Sequence, residues 1–430
     1  RIILGESVRG MPSALIPNAL MIVAIITIIG LGALVGSGTP EKSDEALSQE
    51  KIRLELPAPS GPHPVGVTEL HLVDKNRSDP WVKDQARELM ISIWYPASQE
   101  SKQEAPYLLP SVAEYYDRHV IPTIGLETGR VDLAGIRTHA WLDAPVADSE
   151  DGWPVILYSP GGSVPRSFGT IHAMELASQG YIVVTMDHTY ETAAVEFPDG
   201  RIATEMLPEY DTETVLKMLE VRVDDVLFVL DQLAELKKGQ NPDVNRKVLP
   251  EGWAEMLNLE RVGMFGHSAG GATTAQAMYE DLRIDAGIIM DATLGRLPDH
   301  LLPVAVHGLE RPFMLMHAGY NDEGEVDSHL TAVDKRSFWH ASKGWKRDIA
   351  IPNGAHFTFT DYQYLLPELS RQLSLSRQVI QGSIGTAHPE HVLAAQRDYV
   401  VAFFDLHLKG IPNSLLETSV LPYAEVKIVN

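Results

Sequence analysis

The chain has 430 residues, enough for one large α/β domain with additions or for two ordinary domains. Its 58 acidic against 35 basic side chains leave a formal charge of −23, so no basic surplus exists to displace counterions from a phosphate backbone, and no nucleic-acid partner is expected. The absence of cysteine excludes disulfides, thiolate metal ligands, a cysteine nucleophile and a lipid-bearing N-terminal cysteine.

An apolar run over residues 15–35 carries no charged side chain and follows Arg1 and Arg9. It is close to the span of about 20 residues that crosses a bilayer. Two readings of residues 1–36 compete: an uncleaved anchor, or a signal peptide cut near Val35-Gly36-Ser37, where small residues stand at suitable spacing. A buried core helix is the plainer alternative. The flanking arginines put the N-terminus on the cytoplasmic side, so the rest is expected outside the cytoplasm, either secreted or membrane-anchored. Residues 37–60, rich in Gly, Ser, Glu and Lys at their start, are expected to be a flexible tether. Residues 61–430 then form the main domain, with helical insertions near 97–151 and 205–258.

Within that domain, residues 67–73 and 88–95 alternate in polarity as half-buried antiparallel strands do. The segment 97–151 has mixed character and is read as a helical excursion over the site. From Pro154 onward the pattern becomes short apolar runs separated by helical stretches, the pattern of a parallel sheet buried on both faces. The runs are 155–158, 181–186, 262–265, 286–290, 313–316 and 346–351. The longest helix, over 212–238, carries Val215, Leu216, Leu219, Val223, Val226, Leu227, Leu230 and Leu233 at helical spacing. Its stripe reads as core packing with no chemistry. A last amphipathic helix over 389–408 is expected to close the sheet.

Chemistry concentrates at Gly266-His267-Ser268-Ala269-Gly270, a Gly-x-Ser-x-Gly string between the run 262–265 and the small-residue stretch Ala272-Thr273-Thr274-Ala275. Alone the string describes many glycine-rich turns; between a strand and a helix it is a nucleophile elbow. The turn is too tight for a Cβ at either glycine, and Ser268 must take a strained conformation that lifts its hydroxyl out of the sheet. The fold class follows: α/β, of the α/β-hydrolase type, with a mostly parallel central sheet and helices on both faces.

A serine hydroxyl is a weak nucleophile until a base takes its proton and a third group orients that base. On this fold the acid and then the histidine follow the serine in the chain, each at a strand end. His356, in Pro352-Asn353-Gly354-Ala355-His356, lies in a loop just past the run 346–351. His300, His307 and His340 lie away from strand ends; His317 follows a strand and reads as pocket lining or satisfied core. Two strand ends offer an acid, Asp291 after 286–290 and Asp322 after 313–316. Asp291 is favoured because it sits flush with its strand, where a carboxylate needs a partner. An oxyanion hole needs backbone amides aimed at developing charge. Ala269, next after the serine, should supply one; Gly162, in Ser159-Pro160-Gly161-Gly162-Ser163, should supply the other, with Gly161 next. Gly161, His188, His267 and His317 are the candidates for the pocket, and for His188 a structural role is at least as good a reading.

With these residues in view the chain resembles the secreted-type platelet-activating-factor acetylhydrolases and related bacterial lipases and esterases. The resemblance rests on Ser159-Pro160-Gly161-Gly162-Ser163, on Gly266-His267-Ser268-Ala269-Gly270-Gly271-Ala272-Thr273, on Met290-Asp291-Ala292 and on Gly354-Ala355-His356-Phe357-Thr358-Phe359-Thr360-Asp361, across residues 60–410. It implies that the acid is Asp291, and that the reaction is Ca²⁺-independent hydrolysis of short or oxidised acyl chains on phospholipids, or of other small esters. Pro160 departs from the histidine that relatives usually have there.

The expected function is a serine carboxylic-ester hydrolase acting on short-chain or phospholipid-type esters through an acyl-enzyme. An acyltransferase or peptidase with the same triad, or a non-catalytic membrane-tethered binding protein, are the alternatives. The expected partners are a small ester or lipid substrate and, if the N-terminal segment is uncleaved, a membrane through that segment; no metal, cofactor or obligatory protein partner is called for.

Overall fold

The two alternating segments pair as antiparallel strands β1 (Val65–Ser78) and β2 (Ala86–Pro96), with Thr68 opposite Ile93 and Leu70 opposite Ile91. This is a computed structural model, which describes residues 50–250, 252–295, 300–417 and 422–430. The apolar run at 15–35 and the start of the tether lie outside the described residues. Among the described residues, no helix is long and apolar enough to cross a membrane.

Two short strands, β3 (Glu104–Pro106) and β4 (Arg137–Leu142), extend the sheet beyond β1. The six apolar runs become β5 (Trp153–Ser159), β6 (Ile182–Met186), then, after a separate hairpin of β7 (Ala194–Glu196) and β8 (Ile202–Thr204), β9 (Leu257–His267), β10 (Ala286–Met290), β11 (Phe313–Ala318) and β12 (Lys346–Ile351). A last strand, β13 (Lys427–Ile428), lies antiparallel on β12. The order in the eleven-stranded sheet is β13-β12-β11-β10-β9-β5-β6-β2-β1-β4-β3, parallel from β12 through β6. This α/β architecture, a mostly parallel mixed sheet with helices, is consistent with the α/β-hydrolase fold.

Among the described residues, the helices of eight residues or more are α1 (Pro110–His119), α2 (Thr170–Ser178), α3 (Thr212–Lys237), α4 (Ala269–Glu280), α5 (Val333–Ala341), α6 (Tyr362–Gln372), α7 (Arg377–Ile384) and α8 (Pro389–Phe404). Successive residues of a strand point to opposite faces, so the core divides in two. Ile156, Tyr158 and Phe265 join Ile171, Met174, Val400 and Phe404 on one face. Leu157 and Met264 join Val226, Leu230, Ala272 and Ala275 on the other. Each fully buried Leu, Val or Phe contributes about 1.5–3 kcal/mol, which is why the apolar stripes of α3 and α8 dock where they do. Helix α3 starts where the Asp211 carboxylate accepts from the Thr214 amide at 2.8 Å.

Three sequence expectations need correction. The tether does not run to residue 60: Leu54 and Leu56 are buried, and the amides of Ile52 and Leu56 donate to the carbonyls of Arg130 and Arg137. The excursion 97–151 is mixed rather than helical, holding α1 and the two strands β3 and β4, which pair antiparallel with Glu104 opposite Trp141 while the Thr138 hydroxyl donates to the Ala105 carbonyl at 2.7 Å. The last helix covers a face of the sheet instead of closing it, since its Phe403 and Phe404 pack inward; β13 lies at the edge. The stripe of α3 packs into the core as expected, through Val223, Val226, Leu230 and Leu233.

Candidate active site

The elbow forms where β9 runs into α4. Ser268 stands between them with φ 56° and ψ −120°, in the left-handed half of backbone space that a side chain rarely occupies. What holds it there is crowding. A Cβ on Gly270 would overlap the carbonyl oxygen of Ser159 on the neighbouring strand, and one on Gly266 would overlap the carbonyl oxygen of Gly270. The Ser268 amide donates to the Met290 carbonyl at 2.8 Å, and the Ser268 carbonyl accepts from Gly271 and Ala272 to start the helix. The hydroxyl is therefore carried at the positive end of α4.

Three strand ends meet there. Nε2 of His356 lies 3.0 Å from Oγ of Ser268, and Nδ1 of the same ring lies 2.6 Å from Oδ2 of Asp291. The other carboxylate oxygen, Oδ1, accepts from the Ala318 amide at 3.1 Å. Asp291 also has a positive φ, 45°, directly after β10, which turns its side chain toward the loop after β12. Burial raises the Asp291 carboxyl, but the hydrogen bond and charge of His356 outweigh it and hold the group well below the usual carboxylate range. The carboxylate thus requires Nδ1 to carry the proton and leaves Nε2 as acceptor for the serine hydroxyl. Asp322, the competing acid, is exposed in the loop after β11 and makes no bond to His356, and His300, His307 and His340 are exposed.

Ala269 is the first residue of α4, so its N–H has no acceptor within the helix. Gly161 lies beside Ser268: a Cβ placed on it would be 3.6 Å from Cβ of Ser268 and 3.2 Å from Nδ1 of His267. Gly162 follows, with nothing within 4 Å of where its Cβ would be.

The other three pocket candidates do not line an open wall. His267 is buried under the site and donates from Nε2 to the His356 carbonyl at 2.6 Å; burial and the neighbouring His356 push it down to about 3. His317 is buried behind Asp291 with no hydrogen bond to either ring nitrogen, 3.5 Å from the Asp348 carboxylate. His188 is enclosed between Ser159 and Asp225, and burial and the Arg222 guanidinium push it down to about 3. All three stand within two residues of a strand end in the buried sheet, and each is at most 1% exposed.

Ligand atoms of Asp291, His317 and Asp327 lie within 4.8 Å of one another. That cluster already contains a cation, since the buried ammonium of Lys335 donates to Asp327 at 2.6 Å.

Sequence reasoning missed Arg222 and Asp225 of α3, which reach the loop after β5 and His188. A signal existed. Met218, Arg222, Asp225 and Val229 fall at i, i+4, i+7 and i+11, one line along the helix, and all four are buried, so two charges interrupt an otherwise apolar row.

A Ser–His–Asp chain at the strand ends of such a sheet is an arrangement that carboxylic ester hydrolases use, and the chain's relatives are of that class. A family model described as platelet-activating factor acetylhydrolase, isoform II, matches residues 48–410, and the chain belongs to that family. It is similar to a probable 1-alkyl-2-acetylglycerophosphocholine esterase of Arthroderma benhamiae, with 29% identity over 382 residues, 86% of this chain and 92% of that one. It is also similar to the platelet-activating factor acetylhydrolase of Cavia porcellus, with 24% identity over 74% of this chain and 71% of that protein. Among solved structures, a ferulic acid esterase from Streptomyces cinnamoneus superimposes with a TM-score of 0.69 and 32% identity, covering 88% of this chain and 99% of the other.

Proposed function

We propose that the protein hydrolyses short-chain carboxylic esters, including acetyl esters of phospholipid type, through an acyl-enzyme on Ser268. The observation that supports this most is the unbroken chain Ser268–His356–Asp291, with bonds of 3.0 and 2.6 Å around a serine at positive φ.

In this reading Oγ of Ser268 attacks the ester carbonyl as Nε2 of His356 takes its proton. Asp291 keeps the imidazole in the required tautomer and stabilises the imidazolium that forms. The carbonyl oxygen becomes an oxyanion held by the amides of Ala269 and Gly162. The tetrahedral intermediate collapses, breaking the bond to the alcohol oxygen, which takes the proton from Nε2. Water then enters, gives its proton to His356 and attacks the acyl carbonyl, and Ser268 leaves with the proton returned to it. No step calls on a metal.

The short acyl preference is supported by the family, and by the acetyl ester in the name of the Arthroderma benhamiae relative. The ferulic acid esterase relative makes phenolic esters the natural comparison in an assay panel. The experiment is turnover of p-nitrophenyl acetate and butyrate by the wild type and by Ser268→Ala. Loss of about 10⁴-fold or more in kcat is expected; undiminished turnover by the variant refutes the proposal.

A further inference from the structure

Helix α3 sends one side chain into the loop opposite the nucleophile. The Arg222 guanidinium is buried and donates from Nη1 to the Pro160 carbonyl at 2.6 Å and from Nη2 to the Gly161 carbonyl at 3.0 Å. Its Nε donates to Glu191 at 2.6 Å, and Nη1 also reaches Oγ of Ser159 at 3.3 Å. Ser159 in turn lies 2.9 Å from Nε2 of His188, whose Nδ1 lies 2.9 Å from Oδ2 of Asp225. Since the Asp225 carboxylate only accepts, Nδ1 carries the proton and the Ser159 hydroxyl donates to Nε2. This is a second Ser–His–Asp chain, and all three of its members are sealed from solvent. It cannot meet a substrate.

Its place in the fold gives it a different task. Pro160-Gly161-Gly162 contains two residues without side chains, so little within the loop itself fixes its peptide planes. In a trans peptide the C=O and the following N–H point in opposite directions. There is no cis bond among the described residues, so drawing the Gly161 oxygen onto the guanidinium turns the Gly162 N–H away from it. The Val164 amide, 3.3 Å from the same oxygen, pins it from a second side. A planar fork that grips two successive carbonyls sets two successive peptide planes, which a lysine ammonium cannot do.

We infer that Arg222 is the positioning residue of the oxyanion hole: its guanidinium, anchored by Glu191 and the Ser159–His188–Asp225 chain, aims the Gly162 amide at the oxygen of the tetrahedral intermediate. This rests on the reading of Gly162 as an oxyanion donor in the proposed mechanism. The inference concerns a group that never touches the substrate, so its loss acts on the transition state and spares ground-state binding.

The test is Arg222→Lys, with Glu191→Gln read in the same way if the first variant is isolated unfolded. For each, kcat and KM on p-nitrophenyl butyrate are measured beside inhibition by a butyl trifluoromethyl ketone, whose serine adduct carries an oxyanion, and by the corresponding secondary alcohol, which forms no adduct. Loss of one oxyanion donor costs on the order of 10²–10³ in kcat. We expect kcat to fall about 10²-fold in Arg222→Lys and a few-fold in Glu191→Gln. KM and alcohol binding should stay near wild type, and ketone affinity should weaken in step with kcat. A folded variant with wild-type kcat and ketone affinity overturns the inference, as does an equal loss in ketone and alcohol binding, which marks a general structural role. If the wild type itself neither turns over the ester nor binds the ketone, the failure lies with the catalytic reading.

Discussion

Nε2 of His267 donates to the carbonyl oxygen of His356 at 2.6 Å, so the residue before the nucleophile grips the backbone of the residue placed as its base. The contact spans two strand ends and is buried, where a neutral imidazole with its proton on Nε2 is the form that fits. Nδ1 of His267 faces Gly161, where a Cβ would come within 3.2 Å of it. Replacing His267 with Leu leaves the His356 carbonyl without its donor, at a cost of about 1–3 kcal/mol. The expected result is a fall in kcat of roughly 5- to 150-fold with a smaller change in KM. His267→Gln, which restores a donor, should recover part of it. Steady-state kinetics on p-nitrophenyl butyrate decides the point; equal activity in the Leu variant removes His267 from the account.

The choice of acid is open to a direct comparison. Asp291→Asn removes the carboxylate bonded to His356 and leaves an amide that can favour the wrong tautomer, and the expected loss in kcat is roughly 10³–10⁴-fold. Asp322→Asn, in an exposed loop, should act like the wild type. The reverse pattern refutes the geometry described for His356.

Close packing at the elbow predicts a stability effect separable from chemistry. Gly270→Ala puts a methyl onto the Ser159 carbonyl, a backbone atom of a central strand that has nowhere to go. It should destabilise by about 3 kcal/mol or more in urea denaturation, because overpacking against backbone cannot be relieved by a rotamer change. A variant with the wild-type midpoint means that the turn is looser than described.

Stability should also rise with pH through the mildly acidic range. Burial pushes His172 and His407 down to about 4, and His188 and His267 to about 3, from an ordinary 6.5; Arg397, Arg222 and His356 add to the effect on His172, His188 and His267 respectively. A depressed folded value gives stability that is present above the unfolded value and is lost as pH falls through the folded one. Asp361 opposes this: burial pushes it up to about 7 from 3.8, so its contribution is lost as pH rises toward 7. His63 and His317 are lowered as well, while burial raises Asp187, Glu191, Asp224 and Asp285 alongside Asp361, so the carboxyls offset part of the histidine effect. Unfolding free energy should therefore increase between about pH 4.5 and 6.5. A flat profile contradicts the buried, neutral state of these rings.

How much of this was legible in the chain divides along a physical line. Ser268, Asp291 and His356 each follow an apolar run, and strand ends are where such a sheet presents polar groups, so local pattern located them. The role of Arg222 depends on α3 crossing behind β5, a contact between residues more than sixty positions apart that no local pattern encodes. The docking of Leu54 and Leu56 against residues 130–137 escaped for the same reason, and so did the pairing of β13 with β12. For His188 and His317 the strand-end position left pocket lining and a structural role both open, and their burial supports the structural one.

The central claim is that Ser268 is the activated nucleophile. It is tested most directly by treating the folded protein with a fluorophosphonate probe, digesting it, and locating the phosphonylated residue by mass spectrometry. The account predicts a single adduct on the peptide containing Gly266-His267-Ser268-Ala269-Gly270, absent in Ser268→Ala and slowed at least about 10³-fold in His356→Ala. An adduct on another serine, or no adduct on a protein that hydrolyses esters, would contradict it.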